Sequence, residues 1–212
     1  MLTAAVALLA LSVAGTASAC SMAEGYKVPM ALELVQQADT IVLARVGDEI
    51  PSKEKFGMGE LILKPEVLIA GTALPTELRI RGYYGDAKVQ PTPSDPDELA
   101  KVNPDALTGG CNRYIFNRGM LLLLFVTHDA AGKPDIIDAS FARTLEDVPS
   151  ADSLWVRAVR YYAQVARLPH AERKKAMATE VARLRATGDR EDGLLANDIE
   201  RQIKRKRTQN YD

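Results

Sequence analysis

Leu121-Leu122-Leu123-Leu124-Phe125-Val126 is an unbroken apolar run of six residues, opened by Gly119-Met120. It is far too short to cross a bilayer, which takes about 20 residues in a helix, and its lack of alternation suits a central strand buried on both faces. Outward from it, Ile41-Val42-Leu43-Ala44-Arg45-Val46 has the same character and reads as a second buried strand. Met30 to Ala38, rich in Leu and Ala, precedes that strand as a short helix ended by Asp39-Thr40. Gly47 to Gly59 is polar and reads as a hairpin loop. Glu60 to Ile69 then returns as a strand, with Pro65 placed at a bulge or edge because it has no N–H to give to a ladder.

Ala70-Gly71-Thr72 breaks this strand, and Glu77-Leu78-Arg79-Ile80-Arg81 alternates polar with apolar as a one-sided strand should. From Tyr83 to Gly110 the chain is rich in Pro, Asp and Gly and reads as a long surface excursion. Beyond the central run, Asp129 to Lys133 forms a hairpin turn and Ile136 to Phe141 the returning strand. Five strands with one early helix predict a small barrel or sandwich rather than a βαβ sheet.

The remainder changes in kind. Trp155, Val159, Tyr162 and Ala166 recur at helical spacing, with Ser150 or Asp152 placed to cap the helix; Met177, Val181 and Leu184 repeat the pattern, and Leu195, Ile199 and Ile203 do so again. Pro169 and Gly188 punctuate the three helices. Charge divides the chain at the same place: Cys20 to Ser150 has 13 basic and 19 acidic residues, a net −6, whereas Ala151 to Asp212 has 14 and 9, a net +5. The boundary falls near Pro149-Ser150, giving a domain over 20–149 and a helical extension over 150–212. Basic residues are concentrated only in Lys204-Arg205-Lys206-Arg207, read as a solvated helix end, and the balance is too weak for a nucleic-acid binder.

The first nineteen residues carry no charged side chain, run apolar from Val6 to Val13 and finish on Ala17-Ser18-Ala19. That is the pattern of a signal peptide over 1–19, so the mature chain is expected to begin at Cys20 in an extracytoplasmic compartment, periplasmic or secreted. An uncut stretch would instead act as a membrane anchor. Cys20 and Cys111 are the only cysteines of the chain, and their even count in an oxidising compartment favours a bridge.

Taken in order, Cys20-Ser21, the helix ending in Ala38-Asp39, the strand Thr40 to Val46, Lys64-Pro65-Glu66-Val67-Leu68-Ile69-Ala70-Gly71, Gly110-Cys111, Gly119 to Val126 and Phe141-Ala142-Arg143 resemble the tissue inhibitors of metalloproteinases and their bacterial netrin-like relatives, over about Cys20 to Asp147. The resemblance implies a mainly β fold: a five-stranded OB-like, netrin-like barrel with a short amino-terminal helix, followed here by the helical extension. It also implies that Cys20 is bridged to Cys111, and that the α-amine and carbonyl of Cys20, with Ser21 beside them, form the edge that faces the zinc of a target metalloprotease. An open coordination position on a catalytic zinc can take such a pair of donors. The chain departs from the family at Met22, where a second cysteine is usual, and in its helical tail, which stands where the animal inhibitors have a disulfide-rich domain.

The resulting expectation is an exported binding or interaction protein without intrinsic metal or cofactor, whose partner is a metalloprotease or another envelope protein. A second reading takes Ala17-Ser18-Ala19-Cys20 as a loose lipobox, making the chain a lipid-anchored envelope protein with a structural role. Lipidation of Cys20 would exclude both the bridge and amine chelation. An exported enzyme is the third reading, and the chain is expected not to be one. His128 and His170 lie in no metal-ligand spacing, Ser140 with His128 and Asp129 lacks a nucleophile elbow, and neither Glu24/Glu33 nor Asp135/Asp138 fixes two carboxylates over a bond. Trp155, Tyr161 and Tyr162 read as helix core.

Overall fold

The computed structural model describes Met22 and residues 24–54, 57–108 and 110–207. The expected signal peptide over 1–19, Cys20 and Ser21 lie outside the described residues. Helix α1 (Ala31–Gln37) leads into β1 (Thr40–Ile50), β2 (Glu60–Ala70), β3 (Leu78–Arg81) and β4 (Tyr83–Tyr84). After a 3-10 turn at Pro104–Leu107 come β5 (Ile115–Phe116), β6 (Leu121–His128), β7 (Pro134–Ile136) and β8 (Leu145–Asp147). Three helices complete the order: α2 (Leu154–Arg167), α3 (His170–Thr187) and α4 (Arg190–Ile203).

The two apolar runs pair with each other at the centre of the sheet. Strands β1 and β6 are antiparallel neighbours, with Val42 opposite Leu124 and Ala44 opposite Leu122. Because successive side chains alternate faces, each run supplies two cores. Ile41, Leu43, Leu123 and Phe125 face α1 and the three later helices, while Val42, Ala44, Val46, Leu122, Leu124 and Val126 face the concave side with Leu61, Leu63, Leu78, Ile80 and Phe116. The helical extension is therefore the cover on one face of the sheet. Between β1 and β2 the register shifts where Pro65 stands opposite Ala44, the bulge expected of a residue without an N–H. Gly71 turns the chain at φ +114°, where a Cβ would meet the Thr40 hydroxyl at 2.8 Å.

The expected mainly β, five-stranded barrel is not what forms. Helix makes up 31% of the described residues against 24% strand, and the six-stranded antiparallel sheet, in the order β3-β2-β1-β6-β7 with β8 also on β6, does not close. Its two ends approach, β3 and β7 coming within 8 Å between Cα atoms, yet no ladder joins them. The reason lies in the edges. Ile137 N donates to Phe125 O and Asp129 N to Lys133 O, so the alternation of an antiparallel ladder turns the outward groups of β7 onto Pro134 and Ile136. Pro134 has no N–H, and the Ile136 N–H is taken by the neighbouring Asp135 carboxylate at 2.9 Å. The β7 edge is thus blunted in the way edge strands commonly are. On β3 the same alternation, fixed by the bond from Gly82 N to Gly59 O, turns the Arg79 and Arg81 main-chain groups toward β7.

Local boundaries moved too. Strand β1 runs four residues past Val46, the returning strand is Pro134–Ile136 rather than Ile136 to Phe141, and β4, β5 and β8 were not expected. Ser153, not Ser150 or Asp152, is the residue before α2, and Gly188 ends α3 at φ +69°. The stretch from Tyr83 to Gly110 is no loose excursion, since Ser94, Leu99, Asn103 and Ala106 are buried. It is held by charged groups from beyond the central strand. Asp147 accepts from Arg113 at 2.5 Å and from Ser94 N at 2.9 Å, and Glu146 accepts from the Ser94 hydroxyl at 2.7 Å and from Asn103 N at 2.9 Å. Arg113 and Glu146 are only 2% and 1% exposed.

Removing Arg113 leaves the Asp147 carboxylate without its counter-charge, and breaking a buried pair in this way typically costs about 3 to 5 kcal/mol. Arg113→Ala should lower stability by that order in chemical denaturation, and limited proteolysis should then cut within residues 92–105 before any other segment. Asp147 gives a pH signature. Burial raises its pKa, but the Arg113 charge and the bonds from Arg113 and Ser94 outweigh this and hold it below the usual 3.8. A depressed folded pKa means that its stabilisation is complete above that value and is lost as pH falls through the folded one. Wild type should therefore lose stability more steeply below about pH 4 than Asp147→Asn. Amide exchange tests the open seam: the Arg79 and Arg81 amides should exchange quickly beside a protected Ile80 and slow down in a Pro134→Thr/Asp135→Ala variant.

Candidate functional site

Cys111 and Phe141 adopt left-handed backbone conformations, φ +59° and +60°, and the Phe141 N–H donates to the Cys111 carbonyl at 2.8 Å. Such conformations are uncommon for non-glycine residues and cost on the order of 1 to 3 kcal/mol each, so they persist only where surrounding contacts enforce them. Here the surroundings are tight. Phe141 is buried and lines a small cavity with Arg143 and Trp155, and the next residue after Cys111, Asn112, donates its amide to the Asp138 carboxylate. The amino-terminal segment joins the same place: the Tyr26 hydroxyl donates to Ser140 O at 2.9 Å, and burial together with the nearby Asp138 charge raises the Tyr26 pKa. Three segments far apart in sequence, at Tyr26, Cys111-Asn112 and Asp138 to Phe141, thus meet at one end of the sheet. Cys111 is not a free thiol. Its expected partner Cys20, and Ser21, fall outside the described residues.

Beside this junction lies the gap between β3 and β7, a cleft of about 770 Å³ that reaches Asn112 and Asp138 at one end. Its volume lies within the range of small-ligand pockets. Leu78, Ile80, Ile136 and Leu145 form its apolar floor, the first two buried and the others partly buried at the margin of the concave core. Charged residues of both signs line its rim. Arg79 is tied to Glu77 at 3.0 Å and to Glu60 at 3.5 Å, while Arg81 and Lys133 form no ion pair among the described residues. With a strand spacing of about 4.8 Å, inserting a further strand between two others needs nearly 10 Å, more than the separation where β3 and β7 approach most closely. The cleft therefore accepts side chains or a chain end more readily than a full strand.

The other candidate residues do not assemble. His128 pairs with Asp39 rather than Asp129, its Nδ1 lying 3.3 Å from Asp39 Oδ2 and its backbone N–H donating to the same oxygen at 2.9 Å. These two bonds lead in depressing the Asp39 pKa, helped by the Thr127 hydroxyl. Asp129 instead accepts from Ala131 N and Lys133 N and so closes its own turn. Ser140 meets Tyr26 through its carbonyl. Glu33 is held by both terminal nitrogens of Arg207, at 2.7 and 2.6 Å, so the basic run at the end of α4 is partly absorbed into the fold. Trp155 and Tyr162 are buried, and Tyr162 hydrogen-bonds Asp198 across α2 and α4. Among the described residues no group of three His, Cys, Asp or Glu side chains is placed to hold a metal ion, and no described helix is long and apolar enough to cross a membrane.

Sequence reasoning singled out Cys111 but missed the rest of the junction. Tyr26, Asn112 and Asp138 are unremarkable in composition, and nothing local marks Phe141 as left-handed. Pro134 was the one visible sign of the seam. No known family model matches the chain, and no curated protein matches it.

Proposed function

We propose that the chain is an exported binding protein whose recognition surface is its amino-terminal edge, built from Cys20 and Ser21 held against Cys111 and continued by the cleft beside it. The observation that supports this reading is the convergence of the Tyr26 segment on the Cys111–Phe141 junction, where two left-handed residues are locked together. A segment fixed at Tyr26 leaves six residues to Cys20, a span of at most about 20 Å when extended. Cys111 is within that reach of a bridge, and it is not a free thiol in a chain with one other cysteine. These facts favour the bridge over lipidation of Cys20.

An amino terminus so fastened presents an α-amine and a carbonyl in fixed relation, which suits chelation of the zinc of a metalloprotease. The amine has an ordinary pKa of about 8, and a metal can displace its proton near neutral pH. The cleft then receives side chains of the partner next to the metal contact.

The test begins with intact-mass analysis, which should show a chain starting at Cys20 with two hydrogens fewer than the reduced form and no acyl group. Cys111→Ser should lower stability by about 2 to 5 kcal/mol. Selective acetylation of the α-amine should leave the fold intact and abolish inhibition of a zinc protease. Inhibition that persists after acetylation rejects chelation, and acyl mass on Cys20 rejects the fastened terminus itself.

A further inference from the structure

Two buried donors at the interface of the layers, Trp155 Nε1 and Arg143 Nε, form no hydrogen bond among the described residues. Their residues are 3% and 6% exposed, so bulk water does not serve them either. The rest of the Arg143 guanidinium is occupied: one terminal nitrogen donates to Lys101 O and the other lies 3.5 Å from a Glu146 oxygen. Neither orphan can satisfy its neighbour, because an indole N–H and a guanidinium N–H only donate. A buried donor without an acceptor carries the full cost of its desolvation, and such groups are rare in folded proteins.

Both residues border one small cavity. Its walls come from the entry to α1, from Leu99 and Ala100 of the crossing segment, from Phe141 to Arg143, and from α2 and α4, so it lies where the sheet and the helical layer meet. It gives the centre of a water-sized sphere about 10 Å³ to move in, room for one water and for nothing much larger. Charge then decides between the two ligands of that size, a water and a halide ion. Three arginines stand on the wall, Arg143, Arg201 and Arg207, and each already has a carboxylate, in Glu146, Asp198 and Glu33. No cationic charge is left over for an anion, and a buried ion without a counter-charge costs far more than a neutral molecule.

We propose that this cavity is a site for one internal water that accepts from Trp155 Nε1 and Arg143 Nε together, tying α2 to the segment that follows β7. The Arg143 guanidinium carbon lies 4.6 Å from the Trp155 ring centre. A water held at about 2.9 Å by each of two donors joins nitrogens up to about 5.8 Å apart, a span of the same order as this stack. Leu99, on the same wall, has a carbonyl that receives a bond of 3.4 Å from Arg201, and its second lone pair can take one of the water's own hydrogens.

The test is a crystal structure of the chain at a resolution that shows ordered solvent. It should contain one water within about 2.7 to 3.2 Å of both nitrogens, and bromide-soaked crystals should give no anomalous peak there. In solution, the indole proton of Trp155, the one tryptophan of the chain, should show a dipolar cross-peak to water in the rotating frame, opposite in sign to chemical exchange. No side-chain hydroxyl lines the cavity to relay such a signal. Arg143→Lys keeps a positive charge beside Glu146 but removes the Nε–H, and should weaken the cross-peak several-fold in a variant that circular dichroism shows to be folded. Should that variant not fold, the crystal and the wild-type cross-peak decide. An empty cavity, a bromide peak, separate waters on the two donors, no dipolar cross-peak, or a cross-peak of full strength in the folded variant overturns the proposal.

Discussion

The path of the chain between β4 and β5 depends on two adjacent carboxylates, Glu146 and Asp147, at the short strand β8. They gather Ser94, Asn103, Arg113 and Arg143 into one buried cluster, with Arg143 also donating to Lys101 O. A buried ion cluster adds little net stability over apolar residues of the same shape, because desolvation offsets most of the attraction. What it does supply is direction: the main-chain N–H groups of Ser94 and Asn103, in a polar, Pro-rich segment, find their acceptors on these two carboxylates. With that segment laid across β8, Leu99 and Ala106 are carried into the interior. Arg143 extends the cluster to the other layer by stacking on Trp155, 4.6 Å from the ring centre. Sheet, crossing segment and helical extension are thereby fixed relative to one another.

The layers were legible in the sequence where burial is continuous. The runs at 41–46 and 121–126 read as buried strands because both faces of each are covered, and the three late helices announced themselves by spacing. Strands of two or three residues, such as β4, β5 and β8, carry no periodic signal. The crossing segment was misread because its polar composition normally means exposure, whereas here its buried polar groups, Ser94 and Asn103, are answered by a partner remote in sequence, Ser94 and Glu146 being 52 residues apart. Closure of the barrel failed on a main-chain detail. Pro134 was visible, but that Asp135 would take the next outward N–H is a matter of rotamer and register.

The candidate site divides in the same way. Cys111 stands out as one of two cysteines, and its junction with Tyr26 and Phe141 is a tertiary fact without a local signature. His128 was seen beside Asp129 in sequence, yet the fold gives it Asp39, 89 residues away. Sequence neighbours at a strand end diverge because one turns into the loop, and a residue from the start of the adjacent strand takes its place.

Trp155 is the only tryptophan of the chain, and it sits where the layers meet, between the Arg143 guanidinium and the Phe125 ring, whose centre is 6.5 Å away. Its indole is therefore an optical probe placed by the fold itself. The fluorescence of this one side chain reports whether the helices rest on the sheet, and a separation of the two layers with each still intact would shift its emission before any loss of helix registers in circular dichroism.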